Sequence, residues 1–461
     1  MKKRKFTRIL AWTSCLLMLF SMLYNVFVPM LYEVIMSLLL IVFALLSYKR
    51  LNKIIIVMLS VILMLMSTFL IYTQMSADSV LKYYDHETNE ISLVVLKEGN
   101  ISEISDISDN DFGYLKAMSS EWLTIVKDEL DDSFDLTPKF NMYSTVSDAI
   151  VALREKKIDV LVIDNAFFDV YQEEDPEFET DTKIIFTISK IVEKDDITKD
   201  INVDKDTFTI LVSGIDIFGS ITKRSRSDVN MLLVVNPKRG TVLMVSIPRD
   251  TYVPLSCKDD EMDKLTHSGL YGINCTSETI EQFLDIEINY YIRLNFTSFI
   301  NIVDALGGIK IYNETSFTSH DGMYFPKGNL SLDGFKAFHY ARERKAFEGG
   351  DSDRVKNQQK VLEAMVKKLL TPATFIKIDE LIRIVSKNVD TNITSSDIAK
   401  LIRLQLDKNP KWQFSSTLIL GEEAYRETFS MPGRELFVVL PDDSSIATIH
   451  ALIEDMYDES E

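Results

Sequence analysis

Three apolar runs at residues 9–27, 31–48 and 54–72, broken only by short polar stretches, constrain this chain more than any other feature. Each approaches the roughly 20 residues a helix needs to cross a bilayer, so they are read as spans and not as a core. A cleaved signal peptide would account for the first alone. That run is long, lacks a clear small-residue cleavage site and is followed by two more. The basic start MKKRKFTR precedes the first run, and Lys49, Arg50 and Lys53 lie between the second and third. By the positive-inside bias both stretches are cytoplasmic, and residues 28–30 make a tight outer turn. Three spans then put everything after about residue 74 outside the cell. The expectation is a multi-pass cell-membrane protein with a cytoplasmic N-terminus and an extracellular α/β body.

Charge supports this division. The whole chain has 50 Lys and Arg against 69 Asp and Glu, whereas its first 53 residues hold eight basic residues and one acidic. Such an acidic body excludes nucleic-acid binding by the extracellular part, because phosphate neutralisation dominates that affinity. Arginine clusters inside it need a local reason. The cysteines are Cys15, Cys257 and Cys275, with no CxxC or Cys/His spacing for zinc. In an oxidising compartment Cys257 and Cys275 can close a loop around Lys264.

Residues 76–190 alternate strand-like and helix-like runs and read as a small α/β accessory domain, with a helix expected near 111–129. No phosphate loop, paired carboxylates or metal spacing occurs there; Asp159 and Asp164 are read as ordinary strand-end residues. A charged linker, 191–206, follows. FTILVSGID, MLLVVNP and TVLMVSIP are nearly continuous apolar runs, the pattern of central strands covered on both faces. Residues 207–410 are therefore read as an α/β/α sandwich, and 411–461 as a C-terminal extension without a readable role.

Polar residues collect where those strands end, as ligand sites of such sheets do. Asp216 closes the first run, Arg224, Arg226 and Asp228 precede the second, and Arg249 with Asp250 close the third. Asp216 and Asp228 form a natural pair for Mg²⁺, which is commonly held by one or two carboxylates while substrate phosphates complete its shell. Arginine forks bind phosphate oxygens two at a time. Further on, Arg342, Arg344, Arg354 and Gln358 surround a Gly349-Gly350 break. A helix then follows with Asp351 or Ser352 as cap and Val355, Leu362, Met365, Val366 and Leu369 as its buried face. A strand-end aspartate more often forms a turn, and surface arginines more often pair, here with Glu343, Glu348 or Asp353. The company these residues keep favours an anion site. His267 and His339 have no partner at catalytic spacing and are read as structural.

GID at 214–216, RSD at 226–228, SIPRDTYV at 246–253, DKLTHSGLYG at 263–272, VDALGGI at 303–309, and LDGFKAFHYARER with DRVKNQQ together resemble the LytR-CpsA-Psr family over about residues 207–370. Three spans and an accessory domain resemble its streptococcal capsule-locus branch. The resemblance implies a phosphotransferase on the outer face of Gram-positive cells. Such an enzyme moves a glycopolymer, here capsular polysaccharide, from a polyprenyl-pyrophosphate carrier to peptidoglycan through a phosphodiester. It implies Mg²⁺ (or Mn²⁺) on Asp216 and Asp228, and phosphate on Arg226, Arg249, Arg342, Arg344, Arg354 and Gln358. Lys264 is added to the phosphate set from its place in DKLTHSGLYG, although a loop lysine is usually solvated. Chemistry then falls to Asp228, Arg249, Asp250 and Arg342, and the prenyl chain to an apolar tunnel. The implied partners are the lipid-linked polysaccharide, peptidoglycan, the membrane and other capsule-biosynthesis proteins. Ser225, Asn357 and the Cys257/Cys275 pair depart from the family pattern, and Asn357 removes a second basic ligand beside Arg354.

Two other functions are compatible with these residues. A membrane sensor of capsule transcription would use the basic tip, although such tips more often set topology and touch anionic lipid. A polyprenyl-pyrophosphate phosphatase would share the site and let water attack in place of a sugar hydroxyl.

Overall fold

The computed structural model describes all residues except 1, 26, 27, 29, 50, 82–85, 108–110, 372, 373, 375–377 and 459–461. The turn expected at 28–30 falls partly, and the helix break expected at Pro372 wholly, outside the described residues.

The N-terminal runs form helices Lys2–Tyr24, Met30–Lys49 and Lys53–Leu81. Two stretches, Lys5–Tyr24 and Lys53–Tyr72, are long and apolar enough to cross a membrane; the apolar part of the middle helix, Tyr32–Tyr48, is shorter. Ser14, Ser21, Ser60 and Ser67 are fully buried between these helices, while Phe20, Leu45, Leu65 and Phe69 face outward. Small residues inside and large apolar ones outside are what helices packed in lipid require.

The accessory domain is built on strands β1 (His86–Leu96), β2 (Asp111–Leu115), β3 (Lys139–Tyr143), β4 (Val160–Asp164) and β5 (Thr182–Glu193). Their order is β3-β2-β4-β1-β5. The helix expected near 111–129 is corrected here: Asp111–Leu115 is a strand paired with both β3 and β4, and the helix is Ser120–Phe134. Its start is set by Ser119, whose hydroxyl accepts from Trp122 N at 3.2 Å.

The second sheet has six strands. Its centre is β6 (Phe208–Ile215), β7 (Ser227–Asn236) and β8 (Thr241–Ile247), flanked by Tyr290–Leu294 with Asp390–Thr391 on one side and Gln413–Leu418 on the other. Helices Ile273–Leu284 and Asp443–Tyr457 cover one face through Ile280, Leu284, Ile449 and Ile453. Leu362 of helix Asp351–Leu369 and Ile398 and Leu401 of helix Ser395–Lys408 cover the other. The expected boundary at 410 therefore runs through this sandwich, because residues 413–418 pair in parallel with β8. That pairing joins segments about 170 residues apart in the chain, so no local signal announces it.

Among the links that bind the sheets together are a buried ion-pair network and the C-terminal hairpin. Arg293, 1% exposed, donates to Glu87 Oε1 of β1 at 2.9 Å and to Asp390 Oδ2 at 3.4 Å. The C-terminal hairpin Gly421–Thr428/Met431–Pro441 sends Met431 and Leu436 into the accessory core, and Arg434 Nη1 meets Glu174 Oε2 at 2.9 Å. Cys257 and Cys275 are disulfide-bonded.

Candidate functional site

β7 runs antiparallel to both β6 and β8. Its first residues therefore lie beside the last residues of its two neighbours, and one edge of the sheet receives Asp216, Asp228, Arg249 and Asp250. A register shift between Gly214 and Ile215 sits just before Asp216; such bulges re-aim the side chains that come after them. Gly269 of the DKLTHSGLYG segment fixes the other approach. A Cβ there would stand 2.5 Å from Ser225 O and 2.6 Å from Ser227 N, so only glycine lets that turn brace the backbone around Arg226.

The carboxylates and cations interlock. Arg249 Nη1 donates to Asp228 Oδ2 at 2.9 Å, and Thr266 Oγ1 donates to Asp228 Oδ1 at 2.9 Å. Lys264 Nζ donates to Asp250 Oδ1 at 2.9 Å, and Arg249 Nε lies 3.6 Å from Asp250 Oδ2. Arg342 Nη2 is 3.8 Å from Asp216 Oδ1, with its guanidinium stacked over Phe296 and Phe338 at 4.4 and 5.0 Å. Arg354 Nη2 pairs with Asp351 at 2.6 Å. Burial, aided by the charges of Arg249 and Arg344, holds the Arg354 guanidinium below its usual value against the opposing pull of Asp351 and Asp228. Cations thus crowd one another here. The Nε–H groups of Arg226, Arg249 and Arg354 are buried and donate no hydrogen bond among the described residues. Unused charged donors in a buried cluster are the means of holding an anion.

Carboxylates crowd as well. Burial, then the nearby Asp228, raises the Asp216 carboxyl above its usual range against Arg342 and Arg226. Among the described residues no group of three or more His, Cys, Asp or Glu side chains could hold a metal on its own. Asp216 and Asp228 nevertheless fit a divalent cation that takes its remaining oxygens from phosphate, because two electrostatically opposed carboxylates gain from a shared counter-charge.

An apolar cavity of about 120 Å³ opens beside this cluster. Met231, Phe299, Val361 and Met365 line its walls, and Asp228, Arg342 and Gln358 its polar end. Gln358 is thus at the cavity and the exposed Arg344 at the rim of the cluster.

The helix bearing Arg354 and Gln358 departs from expectation. Gly350, at φ +54°, is its N-cap, and neither Asp351 nor Ser352 serves. Its buried residues are Val355, Asn357, Gln359, Val361 and Met365, while Leu369 is 36% exposed. Lying across the sheet, the helix needs polar contacts too: Gln359 Nε2 donates to Ser246 Oγ at 2.9 Å and to Thr417 O at 2.8 Å.

Arg226 is held from outside the sandwich. Glu173 Oε1 lies 2.6 Å from its Nη1 and Asp169 Oδ2 3.5 Å from its Nη2, both on accessory helix Phe168–Glu174. Sequence reasoning missed these two acids and Thr266. Their one signal is spacing, since residues four apart share a helix face. Asp164 pairs with Arg224 at 2.6 Å. His267 meets Asp263 in the interior at 2.6 Å, and His339 meets Asp321 at 2.9 Å.

Comparison with known proteins places this geometry in context. Residues 177–431 match the profile described as the LytR_cpsA_psr family. Polyisoprenyl-teichoic acid–peptidoglycan teichoic acid transferase TagU of Bacillus licheniformis is 38% identical over 194 residues, 42% of this chain and 62% of that protein. TagU of Bacillus subtilis is 37% identical over 198 residues, 42% of this chain and 63% of that protein. The chain therefore matches somewhat under two thirds of these relatives' length. The crystal structure of B. subtilis TagU superposes on 56% of this chain and 99% of its own, with 29% identity and a TM-score of 0.44.

Proposed function

The chain belongs to the LytR-CpsA-Psr family, and from that premise we propose that it transfers a glycopolymer from a polyprenyl-pyrophosphate carrier to peptidoglycan. One observation carries the reading: Arg342, Gln358 and Asp228 stand at the polar end of an apolar cavity, and Asp228 is bonded to Arg249, one of three arginines whose buried Nε–H groups donate no hydrogen bond among the described residues. A pyrophosphate on a hydrocarbon chain has those two halves in that order. The names of the relatives support a glycopolymer and peptidoglycan as substrates. The accessory domain and the apolar N-terminal helices favour a capsular polysaccharide donor. In this reading the helices anchor the protein by three spans, with the sandwich outside the cell.

The chemistry is phosphoryl transfer. A sugar hydroxyl of peptidoglycan attacks the phosphorus linked to the glycopolymer, the bond to the bridging oxygen breaks, and polyprenyl phosphate leaves. Arg249, Arg342, Arg344 and Arg354 neutralise the negative charge that grows on the phosphate oxygens, and Arg226 joins them when its bonds to Glu173 and Asp169 yield. Lys264 holds Asp250 in position at 2.9 Å. Each oxygen of Asp228 already accepts a hydrogen bond, whereas Asp250 Oδ2 accepts none among the described residues. Asp250 therefore takes the hydroxyl proton. Bound at Asp216 and Asp228, Mg²⁺ would supply further charge neutralisation.

The test incubates the full chain in detergent with Mg²⁺, a polyprenyl-pyrophosphate-linked saccharide and peptidoglycan fragments, and reads products by mass spectrometry. A saccharide-phosphate-peptidoglycan adduct that disappears in Arg354→Ala supports the transferase. Saccharide phosphate without an adduct, the same acceptor being present, would show water as the nucleophile and make the protein a phosphatase.

A further inference from the structure

Beside the arginine cluster lies a second cavity, of about 290 Å³, to which the reaction above gives no role. One wall is β1 with the turn after β4; the other is the segment 217–225 that connects Asp216 to Arg226. The walls are fastened to each other. Thr88 N donates to Thr222 O at 3.0 Å, Lys223 Nζ to Glu90 Oε2 at 2.8 Å, and Arg224 Nη2 to Asp164 Oδ2 at 2.6 Å. The cleft is a built feature of the junction.

Its lining is short of partners. Asn89 is 7% exposed, yet its Oδ1 accepts no hydrogen bond among the described residues; Asn165 Oδ1 and Arg224 Nε are likewise buried and unpartnered. Native proteins keep few such groups, and a ligand is one reason for keeping them. Apolar surface stands beside them: Phe168, Ile184 and Phe218 line the cleft, with Ile184 49% and Phe218 64% exposed. Three acids, Glu90, Asp164 and Asp169, line the cleft with two cations, Lys223 and Arg224, so it has no surplus positive charge to hold a phosphate. Amide and carboxylate acceptors next to aromatic faces suit a ligand with hydroxyl donors on its edge and C–H groups on its flat side. A sugar ring has that construction.

We propose that this cleft is a saccharide subsite, seating the sugar next to the reacting phosphate. The proposal rests on the glycopolymer reading and specifies where the glycan lies. Proximity follows from the chain itself, because Ile217 and Phe218 directly follow Asp216, and Arg224 and Ser225 directly precede Arg226. Phe218 also packs edge-on against Phe296 and Phe338, at 5.0 and 6.0 Å between ring centroids, and those rings line the apolar cavity. Lipid and sugar would thus occupy opposite sides of one aromatic wall. The same chemistry serves the sugar at the phosphate end of the donor or the acceptor sugar of peptidoglycan.

The experiment measures binding by the full chain in detergent, using saturation-transfer NMR with two probes. N-acetylglucosamine 1-phosphate stands for the donor end, and N-acetylglucosaminyl-N-acetylmuramyl dipeptide for the acceptor. Asn165→Leu removes the unpartnered Oδ1 together with an Nδ2 that donates to Glu90 Oε2 at 3.2 Å, and Ile184→Arg blocks the half-exposed rim without entering a core. Each should weaken one probe about tenfold while leaving polyprenyl-monophosphate affinity and thermal unfolding as in the parent. The probe that weakens identifies the source. Unchanged affinity for both probes in both variants, or no binding of either probe by the parent, overturns the subsite. Failure of the parent to bind polyprenyl monophosphate would instead count against the transferase reading, whatever the sugars do.

Discussion

Replacing Arg293 with methionine should destabilise the junction of the two sheets by about 3–5 kcal/mol, the cost of removing one partner from a buried ion pair. The Arg293 side chain is 2% exposed, and its partners Glu87 and Asp390 are 10% and 2% exposed. Its Nη2 also donates to Lys223 O at 2.7 Å. Methionine fills much of the volume, so the loss is electrostatic and not a cavity. Asp390 keeps Lys194, at 2.5 Å, which places the effect toward the lower end; Glu87 keeps no comparable cation among the described residues. Urea unfolding of residues 86–458 reads the result through Trp122, in the accessory core, and Trp412, against the six-stranded sheet. The midpoint should fall with little change in slope. Adding Glu87→Gln should recover part of the loss by removing the stranded charge, giving a non-additive double variant. A loss under about 1 kcal/mol, or simple additivity, would show that water reaches Glu87 and that the network does not hold the junction.

The remaining predictions concern the site and its supports. Asp216 has its carboxyl raised in the folded state, so the native protein binds that proton more tightly, and stability falls as pH rises from the ordinary carboxylate value of 3.8 through the raised one. Asp216→Asn should therefore be the more stable protein at pH 7, with the difference vanishing below about pH 4; equal stability at both pH values would refute the crowding of Asp216. Mg²⁺ should raise the melting temperature of the parent more than that of Asp216→Asn, as differential scanning fluorimetry would show. Changing Cys257 and Cys275 together to serine opens a crosslink of sequence separation 18 and should cost about 3 kcal/mol, measured by chemical denaturation beside the dithiothreitol-treated parent. Gly269→Ala would drive a Cβ into the backbone at Ser225, and should lower transfer activity more than global stability because the displaced segment carries Arg226 and Asp228.

Much of this protein is determined by local pattern. Long apolar runs form helices whatever the rest of the chain does, since a backbone among apolar side chains satisfies its own hydrogen bonds. Continuous apolar stretches become strands covered on both faces. The edge that gathers Asp216, Asp228, Arg249 and Asp250 comes from three consecutive strands joined in antiparallel succession, so the polar strand ends already indicate it in one dimension.

Tertiary structure decides what depends on segments distant in the chain. The strand Gln413–Leu418 joins the sheet beside β8, making the C-terminal residues part of the sandwich and not an appendage. Asp169 and Glu173 reach Arg226 from the accessory helix, which no spacing within the 207–370 motifs could announce. Local preference also failed twice: Asp111–Leu115 became a strand because two neighbours were available to pair with it, and Gly350, at φ +54°, replaced Asp351 and Ser352 at the helix start. Hydrophobic periodicity acts within a few residues and survives translation into sequence. Ion pairs and strand partners act across whatever distance folding closes, and the sequence records only their separate halves.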